Sequence, residues 1–306
     1  MANQQLRRKL LFVYNPCSGK GGILRSLPEI ISIFTADGYD VTAHPTSRRL
    51  DGQEFIAQYG AEYDLVAACG GDGTLHELFR GMAAHSPDIR CGYIPAGTMN
   101  DFASSLRIPR VMTDAADMIM RGGFRRVDAG LLNGERFAYV AAFGAFTEIS
   151  YSTDRNLKSA FGAFAYFLEG VKLFDLKYFS ENTRRLKITC GSDVYEGDFV
   201  FGMAANSLSV AGLTRLLPEG AAMDDGLLDC LFIKTPKNIA DLDRIRAEVH
   251  GDAECGVNVI RLRTSSLSVE SDAVIDWDAD GEFGGSFKRA EISVQPSAIL
   301  MAAPAE

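Results

Sequence analysis

Three short segments concentrate the residues that could do chemistry, and all three are built on glycine. The first is Asn15-Pro16-Cys17-Ser18-Gly19-Lys20-Gly21-Gly22. Glycines let a backbone come close to a phosphate, a helix start behind them offers N–H groups and a positive dipole end, and Lys20 adds a mobile cation. The G-x-x-x-x-G-K-[ST] spacing of a Walker loop is absent, and an ordinary Gly-rich turn is the plain alternative. The second segment is Gly70-Gly71-Asp72-Gly73-Thr74-Leu75-His76-Glu77. Two glycines before an acid and one after it make a concavity free of side chains, with Asp72 placed to reach a magnesium ion or its water shell. Thr74 is expected to cap the following helix, with Glu77 closing a capping box, which accompanies nucleotide binding rather than competing with it. The third is Pro95-Ala96-Gly97-Thr98-Met99-Asn100-Asp101-Phe102-Ala103. Gly97 and Thr98 again permit backbone approach and a hydroxyl contact to phosphate. Asn100 and Asp101 stand at a helix start, where capping is the alternative.

Each of these segments follows a short apolar run. Residues 10–14, 39–44, 65–69 and 91–95 read as buried strands, alternating with helices over 23–36, 53–59 and 74–84. Such alternation argues a parallel sheet with helices on both faces, whose ligands gather at the carboxyl ends of the strands. From residue 124 the texture changes. Strands are expected at 124–132, 137–142, 186–190, 198–205, 227–233, 258–263, 267–269, 273–277 and 290–294, most separated by turn residues, as in an antiparallel sandwich or barrel. One helix over 157–174, with Phe161, Phe164, Phe167 and Phe174, interrupts them. The fold class is therefore a mostly parallel, Rossmann-like α/β domain followed by an all-β sandwich. The expected domains are 1–127 and 128–294, with the tail 295–306 returning to the first.

At 306 residues the chain is long for one core, which agrees with two domains. A net charge of −9 gives no general attraction to nucleic acid, so no nucleic-acid partner is expected. The six cysteines have no C-x-x-C pair and read as thiols, several in apolar surroundings. The apolar run behind Arg7, Arg8 and Lys9 is too short for a signal peptide, and no stretch approaches the ~20 residues of a spanning helix. A soluble, cytoplasmic protein is expected.

Asn-Pro-x-Ser-Gly, Gly-Gly-Asp-Gly-Thr and Gly-Thr-x-Asn-Asp-Phe-Ala, in this order, closely resemble the diacylglycerol kinase catalytic-domain family, which also includes sphingosine kinases. The likeness continues through Val127-Asp128-Ala129-Gly130, Leu157-Lys158-Ser159, Phe164-Ala165-Tyr166, Asp224-Asp225-Gly226 and Asp280-Gly281-Glu282-Phe283-Gly284-Gly285. It is closest to the soluble bacterial diacylglycerol kinases. The resemblance implies ATP contacts from Asn15 through Gly19, from Thr46, from Gly70 through His76 and from Thr98. It implies Glu282 as proton acceptor and Asp225 as a Mg²⁺ ligand beside the carbonyls of Ala222 and Leu227. Asp72, Asp101 and Asp225 would then form an Asp–water–Mg²⁺ network. His76 departs from the Asn usual in close relatives. It further implies diacylglycerol as substrate, attachment at the inner membrane surface and a homodimer.

Asp225-Gly226 and Asp280-Gly281 are also strong hairpin-turn signals, and Glu282 draws its interest from following such a turn. The reaction expected is transfer of a phosphoryl group from ATP to a lipid hydroxyl, with Lys20 and Mg²⁺ neutralising charge and Glu282 accepting the proton in the cleft between domains. Lys172, Lys177, Arg184 and Arg185 could meet anionic lipid, though such a group is more often a solvated face. An NAD kinase, a kinase for a sphingoid base or other lipid, and a non-catalytic regulator are the alternatives.

Overall fold

Leu10, Leu11, Phe12 and Leu65, Val66, Ala67, Ala68, Cys69 have no solvent exposure. Strands buried on both faces are what a parallel sheet covered by helices requires. The computed structural model, which describes residues 7–98, 100–144, 176–208, 221–250 and 256–305, builds such a sheet. Its strands are β1 (Arg8–Tyr14), β2 (Tyr39–Pro45), β3 (Leu65–Gly70) and β4 (Arg90–Pro95), paired in parallel in the order β4-β3-β1-β2. The end of the last strand, β13 (Glu282–Ala303), adds to β4 in parallel, with Leu300 opposite Arg90.

Helices α1 (Gly22–Ala36), α2 (Asp51–Tyr59) and α3 (Asp72–Gly81) follow β1, β2 and β3, and α4 (Asp101–Ser105) and α5 (Met112–Arg121) follow β4. The longer ones bury apolar stripes, Ile23, Ile30 and Phe34 on α1 and Leu75, Leu78 and Phe79 on α3, and α3 also buries Thr74, His76 and Gly81. Helix α5 has no counterpart among the sequence expectations. Its signal is the stripe Ala115, Ala116, Met118 and Ile119, spaced for one helical face. By contact density the chain divides into a first unit, up to Ala129 and again from Pro296, and a second, Gly130–Gln295. The chain passes between them inside β5 (Gly123–Leu132) and inside β13.

The second unit is antiparallel and sandwich-like. Its further strands are β6 (Glu135–Phe137), β7 (Val140–Gly144), β8 (Arg184–Cys190), β9 (Asp193–Ala205), β10 (Leu228–Lys234), β11 (Val259–Thr264) and β12 (Ser266–Ala279). Strand β12 pairs with β8 over Ser268–Ser271 and with β7 over Trp277–Ala279, changing neighbour at an irregularity between Glu270 and Ile275. Strand β9 likewise pairs with β8 along its first half and with β7 and β10 along its second. Strands that change partners in this way turn a sheet back on itself. They enclose a core of Leu132, Phe137, Phe143, Phe199, Phe232, Ile275 and Trp277.

Three strand expectations are corrected. The run 267–277 is one continuous strand, because its irregularity bends the ladder without ending it. The strand expected at 290–294 is part of the 22-residue β13. The run 137–142 is two strands, because the N–H groups of Ala138, Tyr139 and Val140 bond to the buried Asp280 carboxylate. Helices α6 (Leu176–Glu181) and α7 (Ile239–His250) were also not anticipated. The aromatic helix expected over 157–174 lies outside the described residues, as does Lys172.

Candidate active site

Three glycine loops leave β1, β3 and β4 at their carboxyl ends, and the backbone brings them together. The Asn15 N–H donates to Cys69 O at 3.0 Å, tying the first loop to the end of β3. The Asn15 Oδ1 accepts the Cys17 N–H at 2.9 Å and closes the turn from which the short helix Ser18–Gly21 starts. Gly19 and Gly21 have φ of +59° and +77°, conformations that glycine adopts at little cost. A Cβ added to Gly19 would stand 3.2 Å from Ala96 O, in the third loop.

The second and third loops approach each other most closely at two glycines. A Cβ on Gly97 would lie 2.7 Å from the Gly71 Cα. Gly70 O accepts the Ala96 N–H at 2.7 Å and the Tyr93 hydroxyl at 3.0 Å. Asn100, in the left-handed region at φ +54°, folds its amide back on Gly97: Oδ1 accepts Gly97 N–H at 3.1 Å and Nδ2 donates to Gly97 O at 2.8 Å. Asn100 therefore stands at the start of α4 without capping it, and its side chain shapes the loop instead. Tyr93 is fully buried, and its phenol is pushed well above the ordinary range by burial and then by the nearby Asp72 carboxylate. It remains a hydroxyl donor, a role with no sequence motif to reveal it.

The capping box expected at Thr74 and Glu77 does not form. Helix α3 begins two residues earlier, at Asp72 with Gly71 as its cap residue, so Thr74 already lies in the first turn. Glu77 instead accepts Leu50 N–H at 2.8 Å and Gly52 N–H at 2.9 Å, fastening α3 to the start of α2. That places Thr46 beside the same junction: its N–H bonds to Tyr14 O, and its methyl lies 3.4 Å from a Cβ built on Gly52. The positive end of α3 thus opens on the glycine loops, with Asp72 as its first residue. Leu75 and His76 are buried, as are Asn100 and Asp101, whereas Thr98 is exposed. Cys17 is exposed, while Cys69 is buried and its thiol is pushed up to about 12.

In the second unit, Asp280 and Gly281 form the two-residue turn between β12 and β13, with φ of +55° and +85°. The Asp280 carboxylate accepts N–H groups of Ala138, Tyr139 and Val140 at 2.7, 2.9 and 3.1 Å, and the Asp280 N–H donates to Val140 O. The turn is locked, and Glu282 is the first residue beyond it, half-buried and opposite Ala279. Sequence reading gave Asp280 only a turn role; its carboxylate also holds the segment ahead of β7. Asp225 Oδ1 accepts Leu227 N–H at 2.9 Å, and its Oδ2 accepts the Arg263 guanidinium. Arg263 also approaches Asp229, whose carboxyl is pushed up to about 6 by burial, with Arg263 opposing the shift and Asp225 adding to it.

Glycine loops gathered at the carboxyl ends of parallel strands, in a chain whose second half is a β-sandwich, mark a two-domain phosphotransferase. Residues 9–132 match the family model described as the diacylglycerol kinase catalytic domain, and residues 141–303 match the YegS C-terminal NAD kinase beta sandwich-like domain. A diacylglycerol kinase of Staphylococcus saprophyticus is 32% identical over 282 residues, covering 92% of this chain and 90% of the relative. A diacylglycerol kinase of Staphylococcus aureus strain MRSA252 is also 32% identical, covering 92% and 88%. Two crystal structures from Bacillus anthracis str. Sterne share the fold, with TM-scores of 0.82 and 0.74 at 24% and 23% identity, each covering 98% of both chains. The chain belongs to the diacylglycerol kinase family and is a lipid kinase of that family. Among the described residues no helix is long and apolar enough to cross a membrane.

Proposed function

We propose that this enzyme transfers the γ-phosphoryl group of ATP to the hydroxyl of diacylglycerol, giving phosphatidic acid, while resting on the inner membrane surface. The observation that carries the reading is the meeting of the three glycine loops at Ala96 and Gly97, where two backbones touch without intervening side chains. The relatives named diacylglycerol kinase, at 32% identity over nearly the whole chain, support the lipid. Asn15, Pro16, Cys17, Ser18, Gly19 and Lys20 would receive the phosphates together with Gly70, Gly71, Gly73, Thr74 and Thr98. Thr46, beside the α2–α3 junction, would meet another part of the nucleotide. Leu75, His76 and Asn100 would act through the backbone they hold in place, since their side chains are buried.

Mg²⁺ carried by the nucleotide would neutralise charge on the transferring phosphoryl. Asp72, at the mouth of α3, and Asp101, at the start of α4, are the acids we assign to its hydration shell. Glu282 would accept the proton of the lipid hydroxyl, held in register by the locked turn before it. For a second Mg²⁺ at Asp225, the carboxylate and the carbonyls of Ala222 and Leu227 are hard oxygen donors of the right kind. They do not fit as they stand, because the Asp225 carboxylate is already paired with a cation, the Arg263 guanidinium.

The test is ATP consumption coupled to a panel of lipids in mixed micelles, with NAD as control. Phosphorylation of diacylglycerol supports the reading. Turnover on a sphingoid base alone moves the substrate within the same mechanism, and turnover on NAD alone overturns it.

A further inference from the structure

Arg263 lies directly opposite Asp229 in the antiparallel ladder of β10 and β11. From there its guanidinium donates to Asp225 Oδ2, and its Nε stands 3.7 Å from Asp229 Oδ1. The Asp229 side chain is only 5% exposed, and those of Asp225 and Arg263 are 24% and 34% exposed. Strand register therefore fixes a permanent cation between Asp229, on β10, and Asp225, in the segment just before that strand. A guanidinium is planar, carries five donors and keeps its charge at any physiological pH, so one side chain can serve two carboxylates. A divalent ion on Asp225 would have to displace this group or sit beside its charge, in a place shielded enough for that repulsion to matter.

We propose that Arg263, rather than a divalent cation, is the resident counter-charge of the Asp225–Asp229 pair and holds the turn at Asp225–Leu227 in place. The stability of this region then does not depend on Mg²⁺, and the metal requirement of the enzyme is that of its nucleotide. The inference is independent of which lipid is phosphorylated, because its readout is melting and not turnover.

The experiment is thermal unfolding of the full chain without nucleotide, in EDTA and in excess MgCl₂. Wild type should melt at the same temperature in both, within about 1 °C. Arg263→Met should melt several degrees lower in EDTA, since two acids lose their counter-charge. Mg²⁺ should restore part of that loss, because an ion bound only by the folded state stabilises it. Adding Asp225→Ala to Arg263→Met should remove the restoration. Should Arg263→Met not fold, Arg263→Lys, which keeps the charge without the two-sided fork, should fold and melt below wild type in EDTA, and a Lys variant as stable as wild type would overturn the role of the fork. An Arg263→Met protein as stable as wild type in EDTA overturns the proposal. So does a wild-type protein whose melting temperature rises with Mg²⁺ and loses that rise in Asp225→Ala.

Discussion

Gly97→Ala adds one methyl group where two loops touch, and its consequence follows from the distances. The new Cβ would stand 2.7 Å from the Gly71 Cα and 2.7 Å from the Asn100 Oδ1. Carbon contacts sit comfortably at about 3.5–4.0 Å, so the loops after β3 and β4 must part by roughly 1 Å. One of the two obstacles is backbone and cannot rotate away. The other is the amide that clamps Gly97 and accepts from Tyr93, so moving it loosens the whole junction. Overpacking of this kind costs about 1–3 kcal/mol, which lowers the melting temperature of a domain this size by roughly 2–10 °C. A displacement near 1 Å in groups that position a reacting phosphate costs on the order of 10²-fold in rate. Gly71→Ala is the matched control, because its Cβ would meet the Gly97 Cα at 3.4 Å, close to ordinary contact. The assay is kcat/KM for ATP with melting curves of both variants. Gly97→Ala should lose both stability and ATP-dependent turnover, while Gly71→Ala keeps its melting temperature. Wild-type kcat/KM and melting temperature in Gly97→Ala would refute the idea that glycine contact at this junction shapes the nucleotide site.

Glu282→Gln should lower kcat by roughly 10²–10⁴-fold with little change in KM for ATP, because it keeps the shape and removes the basicity; unchanged turnover would exclude Glu282 as base. Asp280→Ala leaves three buried N–H groups without their acceptor, at about 1–3 kcal/mol each, so it should unfold or melt far below wild type. Asp280→Asn retains one carbonyl acceptor and should fall between, and a fully stable Asp280→Ala would show that the turn holds itself. Among the thiols of the described residues, exposed Cys17 should react first with a thiol reagent and be protected by ATP, whereas Cys69, pushed up to about 12, should stay silent until the chain unfolds. Labelling of Cys17 that ignores ATP would remove the first loop from the binding site.

The architecture was legible because it is written in periodicity. The fully apolar runs of β1 and β3 admit few readings other than strands covered on both faces, and the glycine segments fall where such strands end. What stayed hidden was long-range. The capping box is a sound local inference from Thr74 and Glu77, yet the Glu77 carboxylate finds Leu50 and Gly52, 27 and 25 positions away. The break after Phe137 has its cause in Asp280, some 140 positions on. Tyr93 reads as one more apolar strand residue, and only folding brings its hydroxyl to Gly70 and Asn100. Arg263 is likewise an unremarked charge until β10 and β11 set it opposite Asp229. Local chemistry named the glycine loops, while the residues that hold them in place act through partners no sequence window contains.

The central claim is that this chain moves phosphate from ATP to a lipid through the loop that carries Asp72. Its most direct measurement is transfer of labelled γ-phosphate from ATP into diacylglycerol in mixed micelles, by wild type and by Asp72→Ala side by side. The account predicts labelled phosphatidic acid from the wild-type enzyme and none from a folded Asp72→Ala protein with a normal melting curve. Equal labelling by both proteins, or no labelling of any lipid by the wild type, would contradict it.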